Sequence, residues 1–433
     1  MAMRANILSY LKFFLDNILK FSANRFFPYL GISLIGILVA NKNFEEFSFF
    51  SYVSSAFIFP ATIATFTFYA VGNLTPSSID SKNKVVFNSI LFLALVFSSF
   101  VVFACFLILI FSQKEISSYP SEYNAKELAI CYIVYIFIYV LNSFFNCYYE
   151  AWIKDRSSNI GRMVSFIPLI IFAIVAFFLH SQLNYSYFVV VLMTVCGFFE
   201  LAYYIYISRK NRLFSLHVDL QTMRTLVLIG APQGLGLALQ RLAFFLVNKR
   251  LLLIDKDFVS VFSVAISIVS LLAIPVSAFT QIHSIHITRN RTQPLYSYPI
   301  LLLFGSALPS TILITYFDRL ILPLYGLKSE LLDQDPWISL GILAMLLSTA
   351  SLMLITAHLR AYGQSVIPQI IINLSVYGVY VSTVFSGFLD NRPLSYLLFT
   401  YAITFLLCLL ILISSERINL LKFGVPKGAL HTG

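Results

Sequence analysis

The chain has 433 residues, of which 59% are hydrophobic and 11% charged. One water-excluded core could not bury that much apolar surface, so a water-soluble fold is excluded and lipid must be the solvent. The net charge of +10 would suit a nucleic-acid partner, but its distribution along the chain, set out below, excludes one.

Twelve apolar stretches reach the roughly 20 residues that a helix needs to cross the hydrocarbon. The first, 14–40, carries Asn24 and Arg25 and then Pro28, and the second, 44–73, carries Pro60. Spans three to five are expected at 86–112, 128–151 and 160–180; the sixth, 186–208, contains Glu200, the one carboxylate well inside a span. After the basic segment Arg209 to Arg224 comes the seventh, 224–252, with Pro232, Gln240 and Arg241. The eighth, 258–284, contains Pro275 and has His283 at its end, next to Ser284, and four more follow at 298–322, 337–360, 366–389 and 394–414. The fold class is therefore all-α, a polytopic membrane protein.

Lysine and arginine fall mainly on alternate connections, with Lys42, Lys114, Lys126, Arg250, Lys256, Arg319, Lys328 and Arg392 on the opposite ones. One side holds seventeen bases, among them Lys82, Lys84, Lys154, Arg156, Arg162, Arg209, Lys210, Arg212 and Arg224, against four acids; the other gathers twelve acids, including Glu45, Glu46, Asp333 and Asp335. Loops rich in Lys and Arg stay in the cytoplasm, which predicts an inner (plasma) membrane protein with both termini cytoplasmic. The first span lacks a small-residue cleavage site and is expected to stay in the mature protein. Cys105, Cys131, Cys147, Cys196 and Cys408 all lie in spans without a CxxC pair, so packing is their expected role and neither disulfide nor zinc is implied.

The two halves echo each other. Val39-Ala40-Asn41-Lys42-Asn43-Phe44 answers Leu253-Ile254-Asp255-Lys256-Asp257-Phe258, Pro60 answers Pro275, and Asn24-Arg25 answers Gln240-Arg241. Six helices plus six make two pseudo-symmetric lobes, 1–215 and 216–433, related by an axis along the membrane normal. Substrate sites in such duplications lie near the cleft between the halves.

Ionisable groups at bilayer depth are costly unless they face a cavity or a partner, so the few here are the candidates. Counting about 1.5 Å per residue places Arg25 and Arg241 near the midplane. With Asn24 and Gln240 they would line a cationic transport cavity, Glu200 being a partner able to take up a proton. A static Arg25–Glu200 ion pair is the competing expectation. Pro28, Pro60, Pro232 and Pro275 are candidate bends, because each removes a helix hydrogen bond. His283 and His286 share a helical face, but no third ligand is evident, and an interfacial position is expected rather than a metal site. No P-loop, nucleophile elbow, HExxH or paired carboxylates occur, so no enzyme, no cofactor and no ATP are expected. The expected partners are a small-molecule or lipid-linked substrate and membrane lipids, with a monomeric chain.

Two stretches carry a family resemblance. Gly230-Ala231-Pro232-Gln233-Gly234-Leu235-Gly236 resembles the G-x-P opening of the seventh helix in the multidrug and toxic compound extrusion (MATE) family. Leu359-Arg360-Ala361-Tyr362-Gly363-Gln364-Ser365-Val366-Ile367-Pro368 is similar to that family's L-R-A-x-G-[DN]-x-x-x-P between helices ten and eleven. The resemblance implies a secondary antiporter for multidrug efflux, working by alternating access and taking up H⁺ or Na⁺ as an amphipathic compound leaves. The chain departs from the family where acids are common: Gln240 stands ten residues after Gly230, and Ile35 and Gly36 stand near the outer end of the first helix. Arginine in both halves is instead similar to the superfamily's oligosaccharide-lipid flippases, whose cargo is an anionic pyrophosphate, and Arg suits phosphate through bidentate bonds.

Overall fold

The computed structural model describes residues 2–68, 71, 81–113, 116, 125–151, 157–178, 185–254, 256–290, 297–325, 327, 329–361, 364, 366–390 and 392–422. Among them there is no strand. Six helices form the first half: α1 (Ala2–Lys42), α2 (Phe44–Thr67), α3 (Ser81–Phe111), α4 (Ala125–Ala151), α5 (Ser157–Phe178) and α6 (Tyr185–Lys210). The second half begins with α7 (Leu220–Ile254) and then α8, in two pieces, Lys256–Leu272 and Ile274–Asn290. It continues with α9 (Ser297–Leu324), a short turn Ser329–Gln334, α10 (Ile338–Ala361), α11 (Val366–Ser375, prolonged to Phe385) and α12 (Leu394–Lys422). Nine helices among the described residues are long and apolar enough to cross a membrane, or ten with the bent pair of α8. The longest two, α1 with 41 residues and α7 with 35, bring the layout into line with the twelve expected spans.

Polar side chains set the helix ends. Asn43 alone separates α1 from α2: its backbone is extended, and its side chain accepts the Glu45 and Glu46 amides at 3.1 Å, reversing the chain in one residue. Glu46 in turn accepts the Ser186 amide at the start of α6 at 2.6 Å, and Asp335 accepts the Ser395 amide at the start of α12 at 2.7 Å. The last helix of each half thus has its start capped by a carboxylate from another part of that half. Asp219 caps α7, accepting the Thr222 hydroxyl at 2.6 Å and the Gln221 and Thr222 amides at 3.0 Å; these bonds hold its carboxyl below the usual carboxylate range.

The halves meet along α2 against α7 and α1 against α8. Glycine makes the first contact possible: a Cβ on Gly230 would sit 2.4 Å from the Thr67 carbonyl oxygen, and one on Gly234 2.6 Å from that of Ile63. Without a hydrophobic drive between helices in lipid, such backbone approach is what packs them. Gly230→Val is expected to cost about 1–3 kcal/mol, read as a lower melting temperature of the purified protein. Further along this seam Phe245 of α7 packs on Tyr52 and Phe59 of α2, with ring centroids 5.7 and 6.3 Å apart. On the other seam Ser33 and Ser267 share a hydrogen bond of 3.3 Å, Phe14 meets Phe279 edge-on at 5.7 Å, and the Asn41 amide donates to the Leu324 carbonyl.

Of the four prolines expected to bend helices, only Pro275 lies at a break, where the two pieces of α8 meet at 51°. The Ser310 hydroxyl donates at 2.9 Å to the Leu272 carbonyl left over there. α1, α2 and α7 run on through Pro28, Pro60 and Pro232. Two irregularities that no proline marked lie elsewhere: a π-helical turn, Val376–Val381, in α11, and non-helical torsions at Phe317 in α9 (φ −121°, ψ 16°). The five cysteines are free thiols, all but Cys131 fully buried.

Candidate functional site

Three arginines reach toward the interior of the bundle, in three different electrostatic states. Arg25 bonds Glu150 of α4 at 3.4 Å, donates to the Phe21 carbonyl at 2.9 Å and lies over the Phe21 ring. Arg162 of α5 pairs with Glu200 of α6 at 3.4 Å, the two side chains being 12% and 2% exposed. Arg241 of α7 is exposed, and among the described residues it has no carboxylate partner. The groups within its electrostatic reach are Tyr139 of α4 and Tyr401 of α12, one from each half.

The expected Arg25–Glu200 pair is therefore corrected: each of the two has another partner. The reason is depth. Glu150 is the penultimate residue of α4, so Arg25 sits toward the basic end of the bundle rather than level with Arg241. Tyr139 and Glu150 are eleven residues apart on α4, about 16 Å along its axis. The two arginines do not face each other at one level.

Sequence reasoning placed Arg162 with the loop bases and missed its role. It lies five residues into α5, and α6 runs antiparallel with Glu200 ten residues before its end, so one turn and a long guanidinium bring the two together. Gly161 makes room: a Cβ there would lie 2.4 Å from the ring of Tyr204. The Asn142 amide of α4 donates to Glu200 at 3.3 Å and to the Gly197 carbonyl at 2.9 Å, which ties three helices to one carboxylate. A carboxylate that deep demands a cation, and the opposite helix of the same hairpin was where to look for it.

Gln240 is engaged by α11. Its amide donates to Gln369 of α11 at 3.1 Å, the Asn373 amide donates to the Gly236 carbonyl at 2.9 Å, and the Tyr377 hydroxyl donates to the Leu239 carbonyl at 2.8 Å. This ladder fixes α7 on α11 directly beneath Arg241, and its top rung belongs to the π-helical turn. The side chain of Asn24 lies outside the described residues. His283 is buried rather than interfacial, 1% exposed, with its Nε2 3.2 Å from Nδ1 of His358; the side chain of His286 is outside the described residues. No group of three or more metal-ligating side chains occurs among those described.

No family profile and no curated protein matches this chain. Solved structures do. An inward-facing multidrug resistance MATE family transporter of the MOP superfamily is similar at 18% identity over 92% of this chain and 96% of that one, with a TM-score of 0.68. An outward-facing one is similar at 15% identity, 95% and 96% coverage and a TM-score of 0.65. A MOP superfamily transporter from Pyrococcus furiosus, described as having a binding pocket of reverse polarity that suggests a different function, is similar at 18% identity, 95% and 96% coverage and a TM-score of 0.63. The likeness extends over nearly the whole length, and the chain has the fold of the MATE transporters of the MOP superfamily.

Proposed function

We propose that the chain is a secondary active exporter that works by alternating access, its halves 1–215 and 216–433 rocking about the α2–α7 and α1–α8 seams. It would sit in the inner membrane with both termini in the cytoplasm, since the bases gather on that side. The observation that carries the reading is Arg241, an exposed cation without a carboxylate partner among the described residues, within electrostatic reach of Tyr139 and Tyr401. A like charge on the cargo would be repelled there, so the cargo is amphipathic with an anionic or zwitterionic group, and the aromatic rings take its apolar part. The P. furiosus transporter described as having a binding pocket of reverse polarity supports the view that pocket polarity varies on this fold.

The carboxylates that would couple cations at Gln240 or Ile35 are missing, and Glu200 is the remaining candidate. A proton on Glu200 would dissolve the pair with Arg162 and free α5 from α6, whereas bound Na⁺ would have to displace the guanidinium. The same Arg241 favours a second reading, flipping of a lipid-linked oligosaccharide through its pyrophosphate, because guanidinium bonds phosphate bidentately.

The test is reconstitution into vesicles with an imposed pH or sodium gradient and a panel of anionic, zwitterionic and cationic amphipaths. Gradient-driven movement of the first two classes is expected. Movement of cations alone, or none that follows either gradient, would overturn the exporter; movement of a pyrophosphate-linked glycan without a gradient would establish the flippase.

A further inference from the structure

We infer that the lipid-facing side of the first half holds one phospholipid with an anionic headgroup, seated at the segment that joins the two halves. Between α3, α4 and α6 runs a groove of about 500 Å³ whose walls are Leu91, Leu95, Leu141, Phe145, Leu201 and Ile205. Phe214 and Arg209 complete its lining, Arg209 coming from the last turn of α6. From Leu201 to Lys210, the end of α6, is nine residues, about 14 Å of helix. That is close to half of the roughly 30 Å hydrocarbon core, the depth of one leaflet. An acyl chain lying along α6 would fill it from headgroup level to the midplane.

The groove has a built wall. Phe214 meets Phe87 edge-on at 5.5 Å, the Asn88 amide donates to the Leu213 carbonyl at 2.8 Å, and the Ser215 amide donates back to Asn88 at 3.1 Å. Arg209 is the one charged residue lining the groove, and Lys210 and Arg212 follow it in the chain. Arg209, Lys210 and Arg212 are all exposed, and no acid occurs between Glu200 and Asp219, which is engaged in capping α7. Arg212 takes a left-handed backbone (φ 51°) that turns the chain there. Beside these cations Leu216 is 99%, Val218 44% and Leu220 76% exposed. Water would not favour so much bare apolar surface in one short connection, whereas the boundary between headgroups and acyl chains accommodates apolar and cationic side chains together. Basic pockets between membrane helices on one side of a bilayer select anionic headgroups. Bound there, the lipid would fix the joint between the halves to one leaflet.

The experiment places the only tryptophan of the chain at the groove, Phe214→Trp on a Trp152→Phe, Trp337→Phe background, in phosphatidylcholine vesicles. Quenching by brominated phosphatidylglycerol is compared with quenching by brominated phosphatidylcholine. Phosphatidylglycerol is expected to be preferred, and Arg209→Gln, an exposed change that leaves the fold alone, is expected to reduce the preference about fivefold. Lys210→Gln should reduce it further, and 1 M salt should weaken it by screening. Equal quenching by both lipids, or a preference untouched by the double substitution, would overturn the inference. Quenching by neither lipid would mean that the groove is closed to lipid and would overturn it as well.

Discussion

Arg241→Ala is expected to reduce transport of an anionic cargo about 10- to 100-fold while the protein still inserts and folds. The magnitude follows from one hydrogen-bonded charge pair, worth about 1.5–3 kcal/mol. Folding should be spared because Arg241 is exposed and has no carboxylate partner among the described residues, so its loss strands no buried charge. Arg241→Lys should recover only part of the activity, since an ammonium keeps the charge but loses the planar fork. Arg241→Glu should reverse the selectivity, admitting cationic amphipaths that the parent excludes. Initial rates against cargo concentration in vesicles check all three. Unchanged transport by the alanine variant would remove this residue from the mechanism.

Glu200→Gln should do the opposite, harming stability first. It leaves the Arg162 guanidinium 12% exposed with no counter-charge, and breaking a buried pair from one side costs about 3–5 kcal/mol. The double variant Glu200→Gln, Arg162→Met should regain most of that loss, because it removes both charges from the interior. If Glu200 carries the coupling proton, the double variant will be stable yet unable to concentrate cargo against its gradient, while downhill exchange continues. Thermal unfolding of the purified variants and paired uphill and downhill assays separate the two roles. A double variant that still drives uphill transport would assign the pair to architecture alone.

Most of the architecture was legible because apolar length is a coarse signal: a run such as Val85 to Phe111 has no other stable state in lipid. The repeat remains an expectation from matched residues such as Pro60 and Pro275. What those prolines do was not legible. Pro60 stays within a continuous helix, whereas at Pro275 the neighbouring Ser310 hydroxyl takes up a spare carbonyl and the helix divides. That difference is tertiary. The π-helical turn in α11 is likewise set by contacts, Tyr377 reaching Leu239 and Asn373 reaching Gly236, and no local residue pattern announces it. Among the candidate residues, Arg241 has no carboxylate partner among the described residues, but Arg25, Glu200 and Gln240 each found a partner that depends on helix rotation. Counting residues gives depth along a helix and says nothing of which way a side chain turns; two of the pairings, Arg25–Glu150 and Gln240–Gln369, join helices far apart in the chain.

The central claim is that water reaches Arg241 through a gap between the halves. With the five native cysteines replaced by serine or alanine, Arg241→Cys is treated with a membrane-impermeant thiol reagent, beside Ala243→Cys, two residues on and fully buried. Modification of position 241 is expected to be at least tenfold faster than that of position 243, and to be slowed by transported cargo. Equally slow modification at both positions, from either side of the membrane, would contradict it.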